Sequence, residues 1–206
     1  MIRLFLLALL GCMIVGTLAA QAPVPQQPPM IELALSDQFE QLQNLNNHRG
    51  HVTVLLYGDR TGMPANRELG EKLHTEFHPQ AKGMTPVEAR KVPPRPLANL
   101  PADKVSPNVY VLPVACIGQV PKLVQTIIRN QIKKGSPDVP VWLDFEDRMK
   151  TTFGLTASVP NIVVIDAWGR MRFRAAGPLD AATYQRLTQV IEYLRQEAAG
   201  LVGQER

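Results

Sequence analysis

Val52-Thr53-Val54-Leu55-Leu56-Tyr57-Gly58-Asp59-Arg60-Thr61-Gly62-Met63-Pro64-Ala65-Asn66 runs from an apolar strand pattern through a polar turn into a helix start. Residues 52–57 are β-branched, aliphatic or aromatic without a break, as in a strand covered on both faces, and Gly58-Asp59 stops the run. Thr61 is the expected N-cap. Pro64 fits the first helical turn, where an amide hydrogen has no helical partner in any case. A helix from about 63 to 77 then ends before Pro79. Strand, tight turn and helix form the first half of a β-α-β crossover.

The flanking sequence extends this unit in both directions. Upstream, residues 31–50 supply sparse apolar anchors at Leu33, Leu35, Phe39, Leu42 and Leu45 and close on Arg49-Gly50. Downstream, residues 78–107 contain seven prolines and little periodicity, which predicts an irregular surface insertion. A second strand is expected over 108–116 despite Pro113. A helix from about 121 to 134 follows, with Leu123, Ile127, Ile128 and Ile132 at helical spacing, and stops at Gly135-Ser136-Pro137. Residues 140–144 read as a short strand, and 146–153 as a short helix closed by Gly154. Residues 162–166 and 171–175 flank Ala167-Trp168-Gly169-Arg170 as a hairpin. Tyr184, Leu187, Val190, Ile191 and Leu194 stripe a last helix from Asp180 to about Ala199. No internal repeat is visible. The fold class is α/β, a mixed sheet flanked by helices on both faces.

Residues 1–20 carry Arg3, an apolar run from Leu4 to Leu18 and small residues at Ala19 and Ala20, the order of a secretory signal peptide. Residues 21–30 (QAPVPQQPPM) form a Pro/Gln-rich tether, 31–199 the domain and 200–206 a tail. Leu9-Leu10-Gly11-Cys12 offers a competing lipoprotein cleavage box. The apolar stretch ahead of Cys12 is short, however, and Met13-Ile14-Val15 stays hydrophobic where an anchored chain turns polar. A periplasmic or secreted location follows, with a lipid anchor at Cys12 as the alternative and no integral membrane segment once the leader is removed. The chain has two cysteines, so leader removal leaves Cys116 alone and no internal disulfide. The net charge of +4 comes from bases scattered among acids. No aromatic-studded basic face exists for nucleic acid.

Leu35-Ser36-Asp37-Gln38-Phe39, Leu45, Gly50 and the 52–57 run, followed by Phe153-Gly154-Leu155, Ser158-Val159-Pro160-Asn161 and Ile165 to Arg170, resemble the thioredoxin superfamily in its redoxin, peroxiredoxin and TlpA-like branch. The resemblance covers roughly residues 31–196 and implies a thioredoxin-like sheet. It also implies a cis peptide at Pro160, facing the family's redox site. In active members the first cysteine sits in the turn after the first strand, where helix-start amides stabilise thiolate. Residues 58–66 contain no cysteine here. A hydroxyl or carboxylate cannot replace thiolate in disulfide exchange. The chain therefore resembles periplasmic redoxin-like proteins that lack the catalytic cysteines. The function this implies is a non-catalytic binding or accessory module for a protein or peptide partner in the cell envelope, without a cofactor.

Asp59, Arg60, Thr61, Val159 and Pro160 are the candidate binding residues. The helix-start amides with Arg60 suit an anion; alternatively Asp59 and Thr61 cap and Arg60 is solvated. Cys116, at the end of the second strand, is the candidate catalytic thiol of a competing one-cysteine peroxidase or thiol-transfer enzyme. Its neighbours Val114, Ala115 and Ile117 favour a buried, inert cysteine. His74 and His78 are spaced as two metal ligands and His48 and His51 precede the first strand, but no third ligand joins either pair. His78, beside Pro79, is expected to fray. Asp144, Glu146 and Asp147 read as caps of the short helix rather than as a general base. Trp142 and Trp168 are expected to be structural, with Trp168 available to a partner.

Overall fold

A computed structural model describes residues 28–203. The leader 1–20, most of the 21–30 tether and the end of the 200–206 tail lie outside the described residues. Seven strands form one sheet: β1 (Ala34–Asp37), β2 (Leu42–Asn44), β3 (Val52–Gly58), β4 (Val109–Cys116), β5 (Trp142–Asp144), β6 (Asn161–Ile165) and β7 (Met171–Ala176). Their order is β2-β1-β5-β4-β3-β6-β7, with β3, β4 and β5 parallel and the flanking strands antiparallel. The 31–50 segment is thus more structured than its sparse anchors suggest. It forms the β1–β2 hairpin and a 3-10 turn at Leu45–His48. Asp37 organises the hairpin by accepting the Phe39 and Gln41 N–H groups.

Among the described residues five α-helices complete the fold: α1 (Met63–Phe77), α2 (Pro86–Ala89), α3 (Lys122–Gly135), α4 (Arg148–Phe153) and α5 (Ala181–Ala198). Alternation along the strands divides the core. Val52, Val54, Leu56 and Val109 pack with Leu73 and Phe77 of α1 and Leu187, Ile191 and Leu194 of α5. On the same face Ala115 and Leu143 meet Ile128 and Ile132 of α3. Leu55, Tyr57, Val114, Trp142, Val163 and Ile165 point the other way, onto Leu33, Leu45 and Met149 and Phe153 of α4. Burying this much aliphatic surface, at about 25 cal/mol per Å², is what holds the sheet without a disulfide. Pro113 lies one residue before β4 gains β5 as a second neighbour, where a strand tolerates a missing donor.

The 78–107 insertion contains a 3-10 turn at Pro79–Ala81 and α2, which Thr85 and Glu88 cap reciprocally. Arg95 ties it to the Phe77 carbonyl, Glu76 and Glu192, and a buried guanidinium adds to this. Arg195 donates from Nε to the Pro107 carbonyl at 3.0 Å, from Nη2 to the Arg95 carbonyl at 2.6 Å and from Nη1 to Glu192 at 2.8 Å. His78 does not fray. It is buried against Asn108 Oδ1 at 2.7 Å and stacks on His74 with ring centroids 4.4 Å apart, so α1 is pinned at its last turn.

Candidate functional site

Parallel pairing aligns Gly58 with Ala115 and Cys116 with Asp144, so β3, β4 and β5 end on one edge of the sheet. β6 is antiparallel and begins at Asn161 opposite Tyr57, which returns the 156–160 loop to that edge. The topology thus brings together Asp59, Arg60, Thr61, Cys116, Asp144, Val159 and Pro160, the residues singled out from sequence.

Asp59 is the organiser. Its Oδ1 accepts the Thr61 and Gly62 N–H groups at 3.1 and 3.0 Å, and its Oδ2 accepts the Ser158 N–H at 2.7 Å. The Ser158 bond, then the Gly62 bond, hold its carboxyl below the usual carboxylate range. The cap expected at Thr61 does not form: no side chain caps α1, and Asp59 instead binds the two amides just ahead of it. Gly62 is the N-cap residue and Thr61 is exposed with its hydroxyl outside the cap. Arg60 is also exposed. Gly62 matters by its size, since a Cβ there would lie 2.7 Å from the Val159 carbonyl oxygen. The start of α1 is closed directly against the 158–160 loop.

Val159 is half-buried and Pro160 buried. No cis peptide occurs among the described residues, so the bond before Pro160 is trans, contrary to the expected cis form. Side chains shape this loop instead. Asn161 donates to the Thr156 and Val159 carbonyls at 2.9 and 3.0 Å and accepts the Thr156 N–H at 2.9 Å. With Ser158 tied to Asp59, nothing opposes the intrinsic trans preference of about 0.5–1 kcal/mol.

Cys116 lies at the expected edge, half-buried against the core that includes Leu55, Tyr57 and Val114. Burial first, then the Asp144 carboxylate, pushes its thiol up to about 12; a hydrogen bond from the Gly58 N–H opposes this, and Asp147 and Asp59 add to it. A thiol that is to attack at neutral pH needs the opposite surroundings, electropositive and open. Asp144 itself is buried and accepts the Glu146, Arg148 and Met149 N–H groups at 3.1, 3.0 and 2.8 Å. It organises the start of α4, and Glu146 pairs with Arg148 at 2.7 Å on the surface. Asp147 is half-buried in a left-handed conformation (φ 58°).

Asn66 is a residue the sequence reading missed. It is buried on α1, and neither its Oδ1 nor its Nδ2 has a hydrogen-bond partner. The available signal was its place in the stripe of Leu69, Leu73 and Phe77, one polar residue in an apolar row. The histidines stand at the opposite edge. Both His78 ring nitrogens face acceptors, the His74 carbonyl and Asn108 Oδ1, which removes this ring as a ligand. Among the described residues no three His, Cys, Asp or Glu side chains converge as a metal site. Trp142 is buried and Trp168 half-buried.

The architecture matches solved structures at low identity. The exposed lipoprotein thioredoxin of Streptococcus pneumoniae superposes with a TM-score of 0.51 at 15% identity, covering 78% of this chain and 99% of that one. A candidate protein disulfide isomerase from Bacteroides thetaiotaomicron gives 0.52 at 13% identity, covering 85% and 94%. The chain has a thioredoxin-like fold. A candidate thioredoxin from Neisseria meningitidis gives 0.50 at 13% identity, covering 87% and 100%. No family model matches the sequence. No curated protein matches it either. On this thioredoxin-like frame the turn that follows β3 carries aspartate, arginine, threonine and glycine, and no sulfur.

Proposed function

We propose that this protein is an exported, non-catalytic binding or accessory module of the cell envelope. In this reading Asp59, Arg60, Thr61, Val159 and Pro160 form the edge that holds a protein or peptide segment. One observation carries it: at the edge where a thioredoxin-like protein would do thiol chemistry, residues 58–66 contain no cysteine, and the one thiol nearby, Cys116, is half-buried among carboxylates and pushed up to about 12. Thiolate is the attacking species in disulfide exchange and in peroxide reduction. The edge is nonetheless well ordered, because Asp59 and Asn161 fix both of its loops, and Arg60 stands exposed on it as a donor for a partner's carboxylate or carbonyl. Export rests on the leader pattern of residues 1–20.

The competing one-cysteine enzyme requires a reactive Cys116, and the carboxylates around the thiol weigh against it. Insulin reduction with dithiothreitol distinguishes the two. The expected result is a rate equal to dithiothreitol alone; measurable turnover by the protein would overturn the binding-module reading.

A further inference from the structure

α3 differs from the other long helices of the domain. α1 buries Leu73 and Phe77, and α5 buries Leu187, Ile191 and Leu194, whereas no residue of α3 is buried. Its inner side, Ile128 and Ile132, is only partly covered. Its first two turns present Leu123, Val124 and Ile127 outward, with Leu123 75% and Ile127 51% exposed. The helix carries Lys122, Arg129, Lys133 and Lys134 and no acidic residue. Arg129 is committed to the fold through the Asp37 carbonyl and the Ser36 hydroxyl, but the three lysines are exposed. Arg67 adds a further exposed cation at the end of the helix, where it donates to the Gly135 carbonyl and Ser136 Oγ.

We propose that α3 is a docking face for an anionic lipid surface. Exposed aliphatic side chains on a convex helix, among cations and without a single carboxylate, suit burial at a headgroup boundary. Charge rules out a second copy, since an isologous contact through α3 would set its lysines against their own copies. The described chain begins toward the other edge of the sheet, where Met30 bridges Arg170 beside β7, with β3 and β6 between β7 and the strands that α3 covers. A folded protein partner fits less well. Aromatic and methionine anchors dominate such interfaces and α3 has none, while its exposed Lys, Leu and Val are types that are depleted there or rarely dominate binding. Because α3 starts just after Cys116 and the 117–121 loop, docking would hold the candidate edge close to the headgroups.

The test is co-sedimentation of the full chain with phosphatidylcholine vesicles, with and without phosphatidylglycerol, at low and high salt. The α3 effect is read as the phosphatidylglycerol-dependent, salt-sensitive component of binding, whatever the apolar leader contributes. K133E/K134E is expected to weaken that component by about tenfold or more, given about fivefold per cation lost at such a surface. Ile127→Ser is expected to weaken it less. R90E/K91E, an equal charge change on the insertion, is expected to leave it near wild type, and thermal melts confirm that all three variants fold. No phosphatidylglycerol-dependent binding by the wild type, as for a face that serves an acidic protein, overturns the proposal. Equal loss in the insertion control overturns it too.

Discussion

At one edge of the sheet, Asp59 and Asp144 direct all four carboxylate oxygens at backbone N–H groups, six of them, and Cys116 is held as a protonated thiol beside them. At the opposite edge all four histidines gather around Asn108 and Tyr110. His74 stacks on His78, His78 meets Asn108 Oδ1, the Asn108 N–H bonds His51, and both His51 and His48 pack on Tyr110. Arg195 lies nearby and fastens the insertion. The side chains closest to titrating at neutral pH are therefore remote from the edge where the fold normally does its chemistry. At that edge the carboxylates of Asp59 and Asp144 are used to fix loops.

The comparison can be broken most forcefully at Arg195. Arg195→Ala strands the Pro107 and Arg95 carbonyls and removes a fully buried charge from Glu192, for an expected loss of about 3 kcal/mol. Urea denaturation measures it, and limited proteolysis should report new cleavage within 78–107. Unchanged stability would mean that the insertion is held otherwise. Asp144→Ala should cost about 2 kcal/mol through three orphaned N–H groups at the start of α4. Asp59→Ala should cost about 1 kcal/mol through the lost hydrogen bonds of its turn, and speed hydrogen exchange at Ser158.

The histidine edge sharpens the contrast through pH. Burial pulls the His48, His51 and His74 pKa values down, with His51 lowering His48 further and His78 lowering His74. The folded state therefore prefers neutral rings. Their contribution is complete above the unfolded value of about 6.5 and is lost as pH falls from there through the folded values. Tm should decline between about pH 6.5 and 5, and His74→Gln should flatten that decline. A Tm that holds steady over this range would remove the distinction between the two edges.

Much of this was legible in the sequence. The β-branched and aliphatic run 52–57, the β-branched residues 162–165 of the strand expected over 162–166, and the striped last helix marked the central strands and the covering face, because burial patterns survive any local detail. The ordered motifs placed Asp59, Cys116 and Pro160 on one edge correctly. What escaped was set by partners distant in sequence. The hairpin of 34–44 depends on Asp37, the burial of His78 on Asn108, and the order of the insertion on Arg195, which lies far along the chain. The cap assigned to Thr61 is absent, and Asp59 orders the turn instead by reaching Thr61, Gly62 and the distant Ser158. The bond before Pro160 is trans, and Asn161 shapes its loop through contacts that show only once the loop is folded.

The central claim, that no usable thiolate exists at the candidate edge, is tested most directly by the alkylation rate of Cys116 with iodoacetamide in the folded chain. Peptide mass spectrometry separates this residue from Cys12. With its thiol pushed up to about 12, Cys116 should react at pH 7 at least about a hundredfold more slowly than a free cysteine of pKa about 8.5. It should gain normal reactivity only in denaturant. Rapid labelling of folded protein below pH 7 would contradict the account and return Cys116 to the role of a catalytic thiol.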